Sequence, residues 1–210
     1  MPIIPSLSSL PRRLLPLLAI LALIGLLSGF LPLDGSRPQD LKGNAALQDQ
    51  LREHWRQGDL IVLVRHAERC DRSSSPCLAA EEGITVRGSQ SARELGRGFA
   101  ALGLGNADVL SSDQLRAAQT AQWMFDQAPV EQNWLYRCQG SMLDEALKHK
   151  VAHRNLILVT HSECIEDLEH SVSVADPATP DYASSLFVLS DGRTATQLLG
   201  YLDADRWPTR

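Results

Sequence analysis

The sequence predicts an α/β fold: a three-layer sandwich with a mostly parallel central sheet, preceded by one apolar N-terminal helix. Three observations predict it. Apolar strand-like runs at 59–64, 107–112 and 155–161 alternate with stretches whose apolar residues recur at helical spacing, the pattern of strand–helix–strand units around a parallel sheet. Two further runs, "SSLFVLSD" and "TATQLLGYL", are split by Asp191-Gly192 and read as an antiparallel hairpin that closes the sheet. Finally, several predicted strands end on polar side chains, the place where open α/β sheets bind ligands.

The elements follow in chain order. From Leu14 to Leu33 no residue is charged, and Arg12 and Arg13 stand directly before that stretch. This is a membrane-targeting pattern, either an uncleaved anchor or a cleaved signal peptide, and the two arginines orient it with the remainder of the chain exported. Residues 1–33 are therefore expected to be the signal or transmembrane segment. Residues 34–58 then form a linker and a lead-in helix, in which Leu41, Leu47 and Leu51 mark one apolar face with a packing or spacing role. Residues 59–210 form one domain.

Within it, Asp59 to Val64 is the first strand, and the spacing from Ser89 to Leu102 predicts a helix. "ADVLSS" leads as a strand into the helix "QLRAAQTAQWMF". "VEQNWLY" reads as a third strand, "SMLDEALKHK" as a helix, and "NLILVTH" as another buried strand. A hydrophobic fraction of 44% is enough for a packed core in a chain of 210 residues.

Charge and cysteine usage narrow the function classes. A net charge of −5 with no dense Lys/Arg stripe argues against nucleic acid as a partner. Any anion site must be local. An even count of four cysteines in an exported chain favours disulfides, expected as Cys70–Cys77 and Cys138–Cys164, with free buried thiols the alternative. No CxxC pair is present, and "HKVAH" at 149–153 lacks a third ligand, so no metal site and no cofactor is expected and that histidine pair reads as an exposed helix end.

The strand ends carry the chemistry. Arg65-His66 follows the first strand, Ser111-Ser112 with Arg116 the second, and His161 a later one. Two guanidinium forks and two imidazoles around one cavity would bind a phosphoryl group, and a histidine kept neutral by neighbouring guanidinium charge could attack phosphorus through a ring nitrogen. The second imidazole could stabilise the transferring oxygens.

The ordered fragments "LVRHAE", "GITVRGSQSARELG", "LSSDQLRAAQTA" and "LVTHSE" resemble the histidine phosphatase superfamily, with its phosphoglycerate-mutase-like fold, from about Asp59 to Ser190. The resemblance implies a phosphohistidine intermediate on His66, a phosphate clamp of Arg65 and Arg116, and His161 as the second imidazole. "RHAERCDRSSSPC" and the later cysteines are most similar to the exported lipopolysaccharide core heptose(II)-phosphate phosphatase group. This implies a periplasmic hydrolase acting on a phosphorylated sugar or glycolipid, held at the inner membrane through the N-terminal segment. A broad-specificity exported phosphosugar phosphatase and a catalytically inactive, membrane-tethered phosphoglycan-binding module are the alternatives. The general acid is open among Glu163, Glu68, Asp144 and Glu145, with Glu163 first because it lies two residues beyond His161. Arg69 and Arg72, with Arg87, add positive charge for neighbouring anionic groups of the substrate.

Overall fold

The structure, a computed structural model, describes residues 37–177, 179–191 and 196–207. The apolar segment at 14–33 lies outside the described residues, as does the hairpin turn from 192 to 195. Among the described residues no helix is long and apolar enough to cross a membrane.

Six strands form one sheet in the order β3-β2-β4-β1-β5-β6. They are β1 (Leu60–Arg65), β2 (Ala107–Ser112), β3 (Val130–Gln132), β4 (Asn155–Thr160), β5 (Ser185–Leu189) and β6 (Gln197–Leu202). The first four are mutually parallel, and β5 and β6 close the sheet antiparallel, as the hairpin pattern requires. The helices are α1 (Ala45–Gln57), α2 (Val86–Leu102), α3 (Leu115–Phe125), α4 (Met142–His149) and α5 (Ser162–Ser171).

Both sheet faces are covered, which is why β1 and β4 read as unbroken apolar runs. Leu60, Val62 and Val64 of β1 join Leu51 and Trp55 of α1, Leu95 and Phe99 of α2 and Ala121 of α3 in one core. Ile61 and Leu63 point the other way, into a second core with Met142 and Ala146 of α4 and Ile165 and Leu168 of α5. These five β1 side chains are fully buried; at about 2 kcal/mol apiece of transfer free energy they contribute on the order of 10 kcal/mol before chain entropy is counted. The result is an α/β/α sandwich.

Local signals set the helix ends. Asn44 caps α1 by accepting from the Leu47 N–H, and Gly58 ends it in the left-handed region at φ 76°. Thr85 caps α2, so that helix begins three residues before the apolar spacing suggests. Glycine decides how closely α2 meets α3: a Cβ on Gly96 would lie 2.0 Å from the carbonyl oxygen of Met124.

Several expectations need correction. Only Val130–Gln132 of "VEQNWLY" is strand, and Asn133–Leu135 turns into a short 3-10 helix that buries Leu135. Of the two roles expected for the lead-in helix, packing is the one observed, since Trp55 is 1% exposed in the core and donates its Nε1–H to the carbonyl of Gly103. Of the "HKVAH" pair, His153 is exposed, whereas His149 is part-buried and stacks on Trp134 at 4.8 Å. Cys70 is bonded to Cys77 and Cys138 to Cys164.

Candidate active site

The parallel ladder brings the strand-end residues together. Arg65 pairs with Thr160 and Ser111 with Val159, so His66 and His161 leave neighbouring strands side by side and Ser112 follows one strand over. The His66 backbone N–H donates to the Thr160 carbonyl at 2.9 Å. The two imidazole centroids stand 5.1 Å apart.

A hydrogen bond fixes the tautomer of His66. Nδ1 of His66 lies 2.8 Å from the Ala67 carbonyl, which only accepts, so Nδ1 carries the proton and Nε2 keeps its lone pair. Around His161, the Ser112 hydroxyl sits 2.9 Å from Nε2 while Ser112 Oγ also accepts from the Gln114 N–H at 3.2 Å. With the Ser112 hydroxyl donating to Nε2, His161 presents Nδ1–H as a free donor; with that hydroxyl accepting from Nε2–H, Nδ1 is a bare acceptor. The ring of His66 is 3% exposed. Burial chiefly pushes its pKa down to about 2, opposed by the Ala67 hydrogen bond and helped by the smaller effects of His161, Arg116 and Arg65. His161 is lowered to about 4, first by burial and then by Arg116. Both rings are neutral at physiological pH. Desolvation, more than the guanidinium charge invoked from the sequence, keeps them so.

Three buried side-chain nitrogens in this pocket have no partner: Nε of Arg65 and Nε of Arg116, which are N–H donors, and Nδ1 of His161, a donor in the tautomer whose Nε2 accepts from Ser112. Leaving such donors unmade costs about 1–3 kcal/mol each, and more for charged groups. An anion with several oxygens would satisfy all three. Arg65 is positioned by Tyr182, 4.2 Å from its guanidinium carbon, and by donation to the Pro180 carbonyl. Arg116 enters from the start of α3, where Thr120 Oγ ties its carbonyl to the Ala67 N–H. Tyr136 stands 5.7 Å from the Arg116 guanidinium and 5.1 Å from the His161 ring. Tyr136 and Tyr182 sit in irregular segments that carry no periodic signal, and sequence reasoning missed both.

The remaining candidates separate. Arg69 lies close enough for its charge to lower both Arg116 and His161, and it is held by Asp71 through a two-pronged ion pair. Arg72 is exposed. Arg87 pairs with Glu68, which also accepts from Thr85 Oγ at 2.7 Å and Ser73 Oγ at 3.0 Å. Glu68 is thereby drawn down to about 2, with the Arg87 bond the largest cause, and serves as an anchor for the start of α2. Glu163 opens α5 at the pocket rim. Burial pushes its carboxyl up, but bonds from its own N–H and the Ser162 hydroxyl, with the His161 and Arg65 interactions, outweigh that and leave it below the usual carboxylate range. Asp144 and Glu145 open α4, and Glu145 pairs with Lys148.

The profile of the histidine phosphatase superfamily (branch 1) matches residues 61–134. A lipopolysaccharide core heptose(II)-phosphate phosphatase of Escherichia coli O1:K1 is 37% identical over 135 residues, 62% of this chain. That match spans 66% of the relative's own length, just short of two thirds. Among solved structures, the protein histidine phosphatase SixA complexed with tungstate is 16% identical at a TM-score of 0.53, covering 70% of this chain and 97% of that one. A phosphoserine phosphatase from Entamoeba histolytica is 12% identical at 0.52, covering 71% and 99%. At these identities the structures show the shared fold alone.

Proposed function

Since the chain belongs to the histidine phosphatase superfamily, we propose that it is an exported phosphomonoesterase, working through a phosphohistidine on His66 and acting on a phosphorylated sugar of the lipopolysaccharide core. One observation carries this reading. Orphaned N–H donors of Arg65 and Arg116 and the unpartnered Nδ1 of His161 lie about the uncharged, solvent-shielded ring whose Nε2 lone pair is free.

In the proposed cycle, Nε2 of His66 attacks phosphorus while the two guanidiniums and Nδ1–H of His161 hold the non-bridging oxygens. The bond to the sugar oxygen breaks, and that oxygen leaves with a proton. Water then attacks the phosphohistidine, releasing phosphate and regenerating the neutral imidazole. Glu163 is the carboxyl at the rim nearest this role, and it would have to take up a proton as substrate neutralises the arginines that now hold it ionised. No metal enters the scheme, because the arginines supply the charge. Arg69, freed from Asp71, would meet a neighbouring anionic group of the glycolipid, and Arg72 a more distant one. The charge-free run after Arg12-Arg13 and the two disulfides support export to the periplasm, with residues 1–33 as anchor or signal and 59–210 as the phosphatase domain.

A second reading has its own support: Glu68, Asp71 and Glu163 are all drawn below the usual carboxylate range, as expected of a phosphoglycan-binding module without turnover. Measuring phosphate released from phosphorylated core and from simple phosphosugars separates the two. The enzyme releases phosphate and accumulates an acid-labile phosphoprotein, both lost in His66→Ala. A binder releases none yet retains core in either form. Turnover of phosphosugars but not core would leave the phosphatase and overturn its assigned substrate.

A further inference from the structure

Behind the loop that carries Tyr182, a carboxyl near the end of α5 has one oxygen with no donor to satisfy it. Glu169 is 3% exposed, and its Oε2 meets no donor. Burial first, then the charge of Glu166, pushes it up to about 7. It stands in the wall of a cavity of about 310 Å³ together with Asp181 and Asp203. Asp203 is also raised, by burial and then by Asp181.

Two guanidiniums border the same cavity, but each already has a partner. Arg206 is held by Asp40 at 2.6 Å and Asp203 at 3.1 Å, and Arg37 by Asp176 at 2.6 Å. The lining therefore offers acceptors in excess of free donors, and an anion would meet repulsion. A bare metal ion fits no better: among the described residues no group of three His, Cys, Asp or Glu side chains could hold one. A compact cation with several N–H donors fits, because it would satisfy the orphaned oxygen and use the negative excess at once. Ile165 and Leu186 give the cavity an apolar side for the carbon body of such a ligand.

We propose that this cavity binds the primary ammonium group of a small organic amine, such as an aminosugar, with Glu169 and Asp203 as its acceptors. The wall it shares with the first pocket makes the binding relevant to that pocket. Pro180 lines the cavity and accepts from Arg65 through its carbonyl, while Tyr182, two residues on, stacks on the same guanidinium. An amine seated here presses on the segment that positions Arg65.

The test needs no turnover, so it stands or falls apart from the phosphatase reading. The full chain is titrated calorimetrically at pH 7 with D-glucosamine and ethanolamine, with D-glucose and ethanol as neutral controls. Saturable binding of the amines alone, weakened at least tenfold in Glu169→Gln, is the expected result. An unchanged far-ultraviolet circular dichroism spectrum in that variant confirms an intact fold; should Glu169→Gln fail to fold, Asp203→Asn is read in the same way. Amines that bind no better than the controls, or equally well to wild type and variant, overturn the proposal. Glucosamine 6-phosphate distinguishes the source of the amine: a tenfold gain over glucosamine means that one substrate spans both pockets, and no gain means a separate effector.

Discussion

Acid should weaken this fold through the very imidazoles that serve the pocket, and the size of the effect can be worked out. His66 and His161 have folded-state pKa values of about 2 and about 4, against an ordinary 6.5. Each therefore contributes stability that is complete above 6.5 and drains away as pH falls toward its folded value. At about 1.4 kcal/mol per unit, pH 5 costs about 2 kcal/mol per histidine, or about 4 kcal/mol together. Glu169 acts in the opposite sense. Its pKa is raised from 4.5 to about 7, so its contribution is complete below 4.5 and is lost as pH rises through 7. Lowering pH from 7 to 5 thus returns about 2 kcal/mol. The full chain should lose about 2 kcal/mol between pH 7 and pH 5, read from urea midpoints at constant m value. His66→Asn, whose amide can keep the bond to Ala67 without titrating, should lose almost nothing over that interval. Glu169→Gln should lose about 4 kcal/mol. Equal losses in wild type and His66→Asn would show that His66 is not held neutral by the fold, and the nucleophile would lose its physical basis.

Other perturbations have equally definite outcomes. Arg116→Ala should lower kcat for phosphate release by about 10²- to 10³-fold, because a preorganised donor to the developing charge is gone; Arg65→Lys should restore little, since an ammonium cannot reproduce a fork stacked on Tyr182. Glu163→Gln should reduce hydrolysis of sugar phosphates by about 10²-fold or more while barely changing that of aryl phosphates, whose leaving groups depart unprotonated; equal loss on both would assign Glu163 a binding role. Replacing Cys138 and Cys164 by serine should cost about 3–4 kcal/mol in chemical denaturation, from the 26-residue separation that the bridge closes. Gly96→Ala should cost about 1–3 kcal/mol, because the added methyl collides with the Met124 carbonyl where α2 meets α3.

How much of this was legible in the residues depended on periodicity. β1 and β4 stood out because burial on both faces demands continuous apolar runs, and β2 and the closing hairpin because shorter apolar stretches there alternate with helical or turn signals. Arg65, His66, Arg116 and His161 stood out because polar side chains directly after such runs have few structural reasons to be there. Helix α5 escaped notice: "SECIEDLEHS" is mostly polar, and only Cys164, Ile165 and Leu168 mark its buried side. Trp207 was equally silent, lying after the last strand with nothing around it to suggest that Phe99 packs against it, tilted, with ring centroids 4.7 Å apart. The partners of Glu68 were hidden for another reason. Thr85 and Arg87 reach it across a turn whose shape no local pattern specifies, so a pocket acid and an anchor look alike in one dimension.

The 5.1 Å between the two imidazoles is nearly the spacing of adjacent strands, about 4.8 Å. The gap is thus gauged by main-chain pairing, a dimension mutation hardly touches. Loops, rim charges and even the far cavity can drift through evolution while that ruler stays calibrated. A slip of a single residue between β1 and β4 would turn one ring into a core and leave the other facing empty space.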